Sequence, residues 1–341
     1  MRTTPCYNRQ NSVGAKERHV VERGKVIITE HIHPAGLEIL EREAELLYLP
    51  DVPDCQLADV IADAHGLGVR LARVTAELIA KAPGLKVIAK HGVGCDNIDV
   101  VAATARRIAV VSTPKANAVS VAEHMMSLML CLANRICAAN SDLRSGRFRT
   151  REDYVGVELE GKTLGVIGLG RIGSETARKC QSGFGMNVVA YDPQLSADAF
   201  GLAGCARADT LGRLLEESDF VILCLPLTGD TAGMIGAREL SRMKPGAYLI
   251  NTARGGLVDE EALYRCLADD KIAGAAMDAF VNEPPTPENP LLSLDNFIAT
   301  PHVAGATKEA MRRMATDLAE EILRVLRGER PLYPVNPEVY E

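Results

Sequence analysis

One segment restricts the fold more than any other: "KTLGVIGLGRIGSETARKC", residues 162–180. An apolar, β-branched run leads into Gly168, Gly170 and Gly173, spaced G-x-G-x-x-G, and a helix-forming stretch follows. Gly168 permits the tight turn, Gly170 lets a pyrophosphate approach the backbone, and Gly173 lets helix and strand pack closely. The helix N-terminus adds partial positive charge where a phosphate would lie. Arg171 offers a full charge, and Ile172 completes the turn. The same glycines could make a ligand-free strand-to-helix turn, but the flanking strand and helix favour a dinucleotide site. About twenty residues beyond Gly173, Asp192 closes the next apolar run, "MNVVAYD", where an acid accepts hydrogen bonds from an adenosine ribose. Asp-Pro is also common in plain turns. Combined with the glycines, Asp192 points to NAD rather than NADP, because an anion repels the extra phosphate and "PQLSAD" supplies no arginine.

The rest of the chain repeats this alternation of strand and helix. "KVIIT" (25–29), "LKVIAK" (85–90) and "IAVVS" (108–112) form an early series, with "TAELIAKA" (75–82) as a helix between them. "KTLGVIG", "MNVVAYD", "DFVILCLP", "AYLINT", "IAGAAMD" and "NFIAT" form a later one. Short buried runs between helices describe parallel sheets covered on both faces, so the fold class is α/β with two doubly wound units. Residues 116–143 read as one long helix and 307–328 as another, bounded by Thr307 and Gly328. If the second helix returns to the early series, one domain comprises 25–115 and 308–341, and a dinucleotide-binding domain of 116–307 is inserted in it. Residues 1–24 are polar and read as a flexible tail, with a weak transit peptide as the other reading, since the first fifteen residues carry arginines and no acid.

Composition removes other classes. The net charge of -7 argues against a nucleic-acid-coating surface. There is no apolar run long enough for a membrane span. Nine cysteines without a C-x-x-C pair fit reduced thiols in a cytoplasm and no metal site.

Three later residues supply chemistry. Arg254 in "NTARGG", Glu283 in "NEPP" and His302 in "TPHVAGAT" each follow a strand of the unit that carries the glycine turn. Ligands of open parallel sheets bind beyond the carboxyl ends of strands, so one cleft could hold all three. Taken singly, each has an ordinary structural reading. Together they place at one sheet edge a guanidinium whose fork could clamp a carboxylate, a loop carboxylate and an imidazole.

The motifs "HGVGCDNIDV", "VSVAEHMMSLML", "GLGRIG", "YDP", "NTARGGLVDEEAL", "MDAFVNEPP" and "TPHVAGAT" occur in an order that resembles the NAD-dependent D-isomer-specific 2-hydroxyacid dehydrogenases, especially phosphoglycerate dehydrogenase-like members. The likeness covers about residues 25–335. It implies a Rossmann-type NAD domain inserted in a flavodoxin-like substrate domain, and a dimer or tetramer, of which the homodimer is expected here. It further implies hydride transfer between NAD(H) and C2 of a small anionic 2-hydroxy or 2-oxo acid. By the same comparison Arg254 meets the substrate's carboxylate and reacting oxygen, His302 transfers the proton, and Glu283 partners His302. Gly92, Val93 and Gly94 would hold the carboxylate through backbone amides. Thr228, Thr252, Ala253 and Asp278 would line the cofactor, Asp278 at the nicotinamide amide.

This sequence departs from the family after "GVR", where Leu71 stands in place of a small hydroxyl residue. Lys90 and His91 precede the carboxylate loop, and Arg144, Arg147, Arg149 and Arg151 cluster in "LRSGRFRTR". These suggest a substrate with two anionic groups; a solvated arm of the dimer is the other reading of the arginines. The chain ends at Glu341, so no carboxyl-terminal regulatory domain is expected. Glyoxylate or hydroxypyruvate reduction, an NAD-sensing interaction protein and, less well matched by Glu283, a formate or phosphite dehydrogenase are the competing readings.

Overall fold

The computed structural model describes residues 23–50 and 54–341, so the tail expected at 1–24 lies outside the described residues except for Arg23 and Gly24. The early series supplies β1 (Lys25–Ile28), β4 (Val87–Lys90) and β5 (Ala109–Val111) of a five-stranded sheet that also contains β2 (Glu45–Tyr48) and β3 (Gly66–Val69), which the sequence reading did not include. Its order is β2-β1-β3-β4-β5 and every pairing is parallel. This is the flavodoxin-like arrangement. The later series forms a seven-stranded sheet of β6 (Thr163–Ile167), β7 (Asn187–Tyr191), β8 (Ala206–Arg207), β9 (Phe220–Leu223), β10 (Tyr248–Asn251), β11 (Gly274–Met277) and β12 (Phe297–Ala299). Its order, β12-β11-β10-β9-β6-β7-β8, is the dinucleotide-binding arrangement with one further parallel strand at an edge.

Burial explains why these runs become parallel strands. β3, β9, β10 and β11 are buried at every position, as strands covered on both faces must be. The helix Lys308–Leu326 is capped by the Thr307 hydroxyl, which accepts from Ala310 N–H at 3.2 Å. Its buried Ala315, Leu318, Ala319, Ile322 and Leu323 share one core with Val26, Ile28 and Val87. The last helix therefore completes the first sheet's unit, and the seven-stranded unit is inserted between its parts. After that helix, Asn336 lies beside β5, where its Oδ1 accepts from Val110 N–H at 2.7 Å.

The helix expected over 116–143 is two helices, Ala118–Ala133 and Ile136–Arg144, separated by Arg135 in the left-handed region at φ 53°. The break has a local cause. The apolar face that packs on the seven-stranded sheet ends at Ala133, and the freed carbonyls find other donors. Asn134 Nδ2 donates to Leu130 O at 3.1 Å, and Val157 N–H donates to Ala133 O at 2.9 Å.

Candidate active site

The glycine turn forms as its spacing requires. Gly168 has φ 89°, and a Cβ there would lie 2.6 Å from Cys224 O. A Cβ on Gly173 would lie 2.2 Å from Gly168 O, so helix and turn touch backbone to backbone. Gly170 caps the helix Arg171–Phe184 without a side chain, and the space beside it is open to 4 Å. Arg171 is exposed and Ile172 half-buried at this helix start. Asp192 Oδ2 accepts from Leu169 N–H at 3.0 Å, which holds the acid of β7 beside the turn.

Further along the same sheet edge, Thr252 is buried and its hydroxyl has no hydrogen-bond partner among the described residues. Ala253 N–H is held by Asn251 Oδ1 at 3.0 Å, and Thr228 N–H by Thr231 Oγ1 at 2.7 Å. An open helix N-terminus, a turn that excludes Cβ atoms and an orphaned hydroxyl at one edge fit a dinucleotide.

Arg254, Glu283 and His302 follow β10, β11 and β12 respectively. His302 takes the left-handed conformation at φ 52°, and its Nδ1 lies 2.7 Å from Glu283 Oε2. The other Glu283 oxygen accepts from Phe280 N–H at 2.9 Å. Both side chains remain exposed to the cleft. Arg254 reaches the first domain, where its Nε donates to Asp96 Oδ2 at 2.8 Å, while its Nη1 donates to the neighbouring Ala253 O at 2.7 Å. A Cβ on Gly94 would fall 1.4 Å from Arg254 Nη2, so the guanidinium lies against the backbone of the "GVG" loop. The Arg254 and Glu283 loops also meet, since a Cβ on Gly255 would lie 2.0 Å from the Phe280 carbonyl carbon.

The "GVG" loop is anchored at one end. Gly92 N–H donates to Thr113 Oγ1 at 3.0 Å, whereas the Val93 and Gly94 amides donate to no group among the described residues. Two adjacent free amides beside a guanidinium suit a carboxylate. Lys90 Nζ donates to Arg70 O at 2.6 Å and to Asn97 Oδ1, and burial, with Arg254 nearby, pushes its ammonium below the ordinary lysine range. His91 is buried, 3% exposed, with neither ring nitrogen partnered among the described residues. Burial, and then Arg70, push His91 down to about 4, so it is neutral at pH 7.

Asp278, expected at the nicotinamide amide, has its carboxylate turned into the protein. It accepts from Thr300 Oγ1 at 2.6 Å, Val303 N–H at 2.9 Å and Ala304 N–H at 2.8 Å. Within the arginine cluster, Arg147 and Arg149 both pair with Asp142, at 2.6 and 2.9 Å, and remain about half exposed. Sequence reasoning passed over Asp96, which lay inside a quoted motif, and Glu30. The Glu30 carboxylate accepts from the successive amides of Arg70, Leu71 and Ala72 at 2.8, 2.5 and 2.6 Å. No local pattern marks a contact between residues forty apart.

A glycine turn at the carboxyl edge of a seven-stranded parallel sheet, facing an Arg, Glu and His set, defines a two-domain dinucleotide-binding protein of the dehydrogenase type. A family profile described as D-isomer specific 2-hydroxyacid dehydrogenase, NAD binding domain, matches residues 126–304. The chain belongs to the D-isomer specific 2-hydroxyacid dehydrogenase family. It is 44% identical over 306 residues to the D-3-phosphoglycerate dehydrogenase of Methanocaldococcus jannaschii, covering 89% of this chain and 58% of that one. It is 39% identical to the glyoxylate reductase of Korarchaeum cryptofilum, covering 92% of this chain and 96% of that one. The crystal structure of the D-lactate dehydrogenase from Aquifex aeolicus, complexed with NAD and lactic acid, superposes with a TM-score of 0.78 at 32% identity, covering 89% and 96% of the two chains. This chain spans between 48% and 58% of the length of three phosphoglycerate dehydrogenase relatives.

Proposed function

We propose that this protein is an NAD-dependent dehydrogenase of D-2-hydroxy acids, interconverting a small anionic 2-hydroxy acid and its 2-oxo acid. The observation that carries the reading is the 2.7 Å contact between His302 Nδ1 and Glu283 Oε2 on the sheet edge that bears the glycine turn. Bound NAD(H) supplies or accepts the hydride at the nicotinamide. Arg254 holds the substrate carboxylate and the C2 oxygen in its guanidinium fork, helped by the free amides of Val93 and Gly94. His302 Nδ1 is held by Glu283, which leaves Nε2 to give a proton to the C2 oxygen on reduction and to take it on oxidation. Glu283 fixes the ring and complements the charge of its protonated form.

Gly168, Gly170, Arg171, Ile172 and Gly173 receive the pyrophosphate, with Thr228, Thr252 and Ala253 along the same edge. Asp192 takes the ribose hydroxyls and disfavours NADP. Asp278 acts on the cofactor site through the backbone it anchors. Residues 25–115 with 308–341 form the substrate domain and 116–307 the NAD domain, a division supported by the separate cores of the two sheets.

The protein acts as a homodimer in the cytoplasm. Leu143, Phe148 and Val155 are exposed along the arm, Phe148 to 93%, which supports a second copy covering it. No helix among the described residues is long and apolar enough to cross a membrane, and the seven cysteines described are free.

The test is NADH oxidation with hydroxypyruvate, glyoxylate, pyruvate, 3-phosphohydroxypyruvate and sulfopyruvate, with His302→Ala as control. Turnover of at least one acid, lost in the control, is expected. A panel without turnover while NADH still binds overturns the enzyme reading in favour of NAD sensing.

A further inference from the structure

His124, in the helix Ala118–Ala133, has no part in the chemistry described above, yet it ends a hydrogen-bond chain that leads to His302. Its Nε2 lies 3.1 Å from Thr300 Oγ1 and 3.7 Å from Asp278 Oδ1. The Thr300 hydroxyl donates to Asp278 Oδ1 at 2.6 Å. A hydroxyl has one hydrogen, and an ionised carboxylate can only accept. Thr300 therefore accepts from His124, and His124 must carry its hydrogen on Nε2.

Asp278 is 1% exposed, and the groups that donate hydrogen bonds to it, at Thr300, His302, Val303 and Ala304, all belong to the His302 segment. Its carboxylate takes the amides of Val303 and Ala304, and its backbone oxygen takes the amide of His302 at 2.9 Å. These bonds keep His302 at φ 52°, a conformation a non-glycine residue adopts only when its surroundings impose it.

We propose that His124 is a positioning residue for His302. Its Nε2–H fixes the Thr300 hydroxyl, which fixes the Asp278 carboxylate, which holds the left-handed turn that presents the imidazole to the cleft. Its kinetic consequence rests on the function proposed above, whereas the hydrogen-bond chain does not.

The experiment has an arm for each. In protein labelled with ¹⁵N-histidine, two-bond ¹⁵N–¹H correlations, assigned by the signal lost in His124→Gln, should show His124 protonated at Nε2. Hydrogen exchange at the His302, Val303 and Ala304 amides should quicken in His124→Ala and in Thr300→Val. It should stay near wild type in His124→Gln, whose amide nitrogen can still donate. With an active substrate, His124→Ala and Thr300→Val should each lower kcat about tenfold with KM and NADH affinity little changed. The double variant should be no worse than either, and His124→Gln should recover most of the loss. A His124 ring protonated at Nδ1 alone, or unchanged exchange at the three amides in both single variants, overturns the proposal. If no substrate is turned over, the function fails and the tautomer and exchange results still decide the role of His124.

Discussion

Replacing Gly94 with alanine should separate folding from function. The new Cβ would lie 1.4 Å from Arg254 Nη2, 2.7 Å from its Cζ and 2.8 Å from Asp96 Oδ2. All three are ends of flexible side chains, and Gly94 has no left-handed φ that would strain an alanine. The fold can therefore accept the methyl by displacing the guanidinium. The Arg254–Asp96 pair broken in the process is partly exposed, and such pairs contribute about 0–1 kcal/mol. For a domain of this size that shifts the melting temperature by no more than about 4 °C. The functional loss is larger. A charge-assisted hydrogen bond to a carboxylate is worth about 1.5–3 kcal/mol, and losing it lowers kcat/KM by about 10- to 150-fold. Scanning calorimetry, NADH fluorescence titration and steady-state kinetics on the best acid of the panel would measure all three effects. Near-native melting and NADH affinity with a fall in kcat/KM are expected. Wild-type kcat/KM in Gly94→Ala would refute the placement of Arg254 against the substrate loop.

Three further outcomes follow from the same geometry. Gly173→Ala meets backbone at 2.2 Å rather than a movable side chain, so it should cost about 1–3 kcal/mol in urea unfolding and weaken NADH binding in the same titration. Because His91 is held down to about 4, below its unfolded value, the unfolded chain binds the extra proton first as pH falls. His91 therefore lowers stability between about pH 6.5 and pH 4, and His91→Leu should flatten this acid limb by about 2 kcal/mol between urea titrations at pH 7 and at pH 5. The paired change Arg147→Ala and Arg149→Ala should leave the ratio of mono-anionic to di-anionic substrate turnover unaltered, because Asp142 already holds both guanidinium groups. Assaying pyruvate beside 3-phosphohydroxypyruvate checks this.

Much of the fold was legible because it rests on local signals. Every strand read from an apolar β-branched run forms, and Thr307 and Gly328 bound the last helix as their capping chemistry requires. β2, "ELLY", was passed over because it follows a helix after one residue and is nowhere fully buried, and β3, "GLGV", because it carries two glycines where strands usually carry branched side chains; the close packing of Ile28 and Ile322 on those glycines explains that choice. β8 has only two residues, too few for any period. The break at Arg135 was hidden because helical pattern runs on either side, and the amide that ends the first helix comes from Val157. In the site, Glu283 and His302 lie on loops that follow neighbouring strands, so strand order brings them together. Asp96, Glu30 and His124 escaped notice because each acts through a contact between distant parts of the chain.

The most direct test of the central claim is a double-mutant cycle on Glu283→Gln and His302→Ala, reading kcat for reduction of the preferred 2-oxo acid with NADH binding as control. If the two side chains form one proton-transfer unit, His302→Ala should lower kcat by about 10²–10⁴-fold. Glu283→Gln should then remove little more from that background, and NADH should bind both variants. Additive losses, or a His302→Ala enzyme as fast as wild type, would contradict the account.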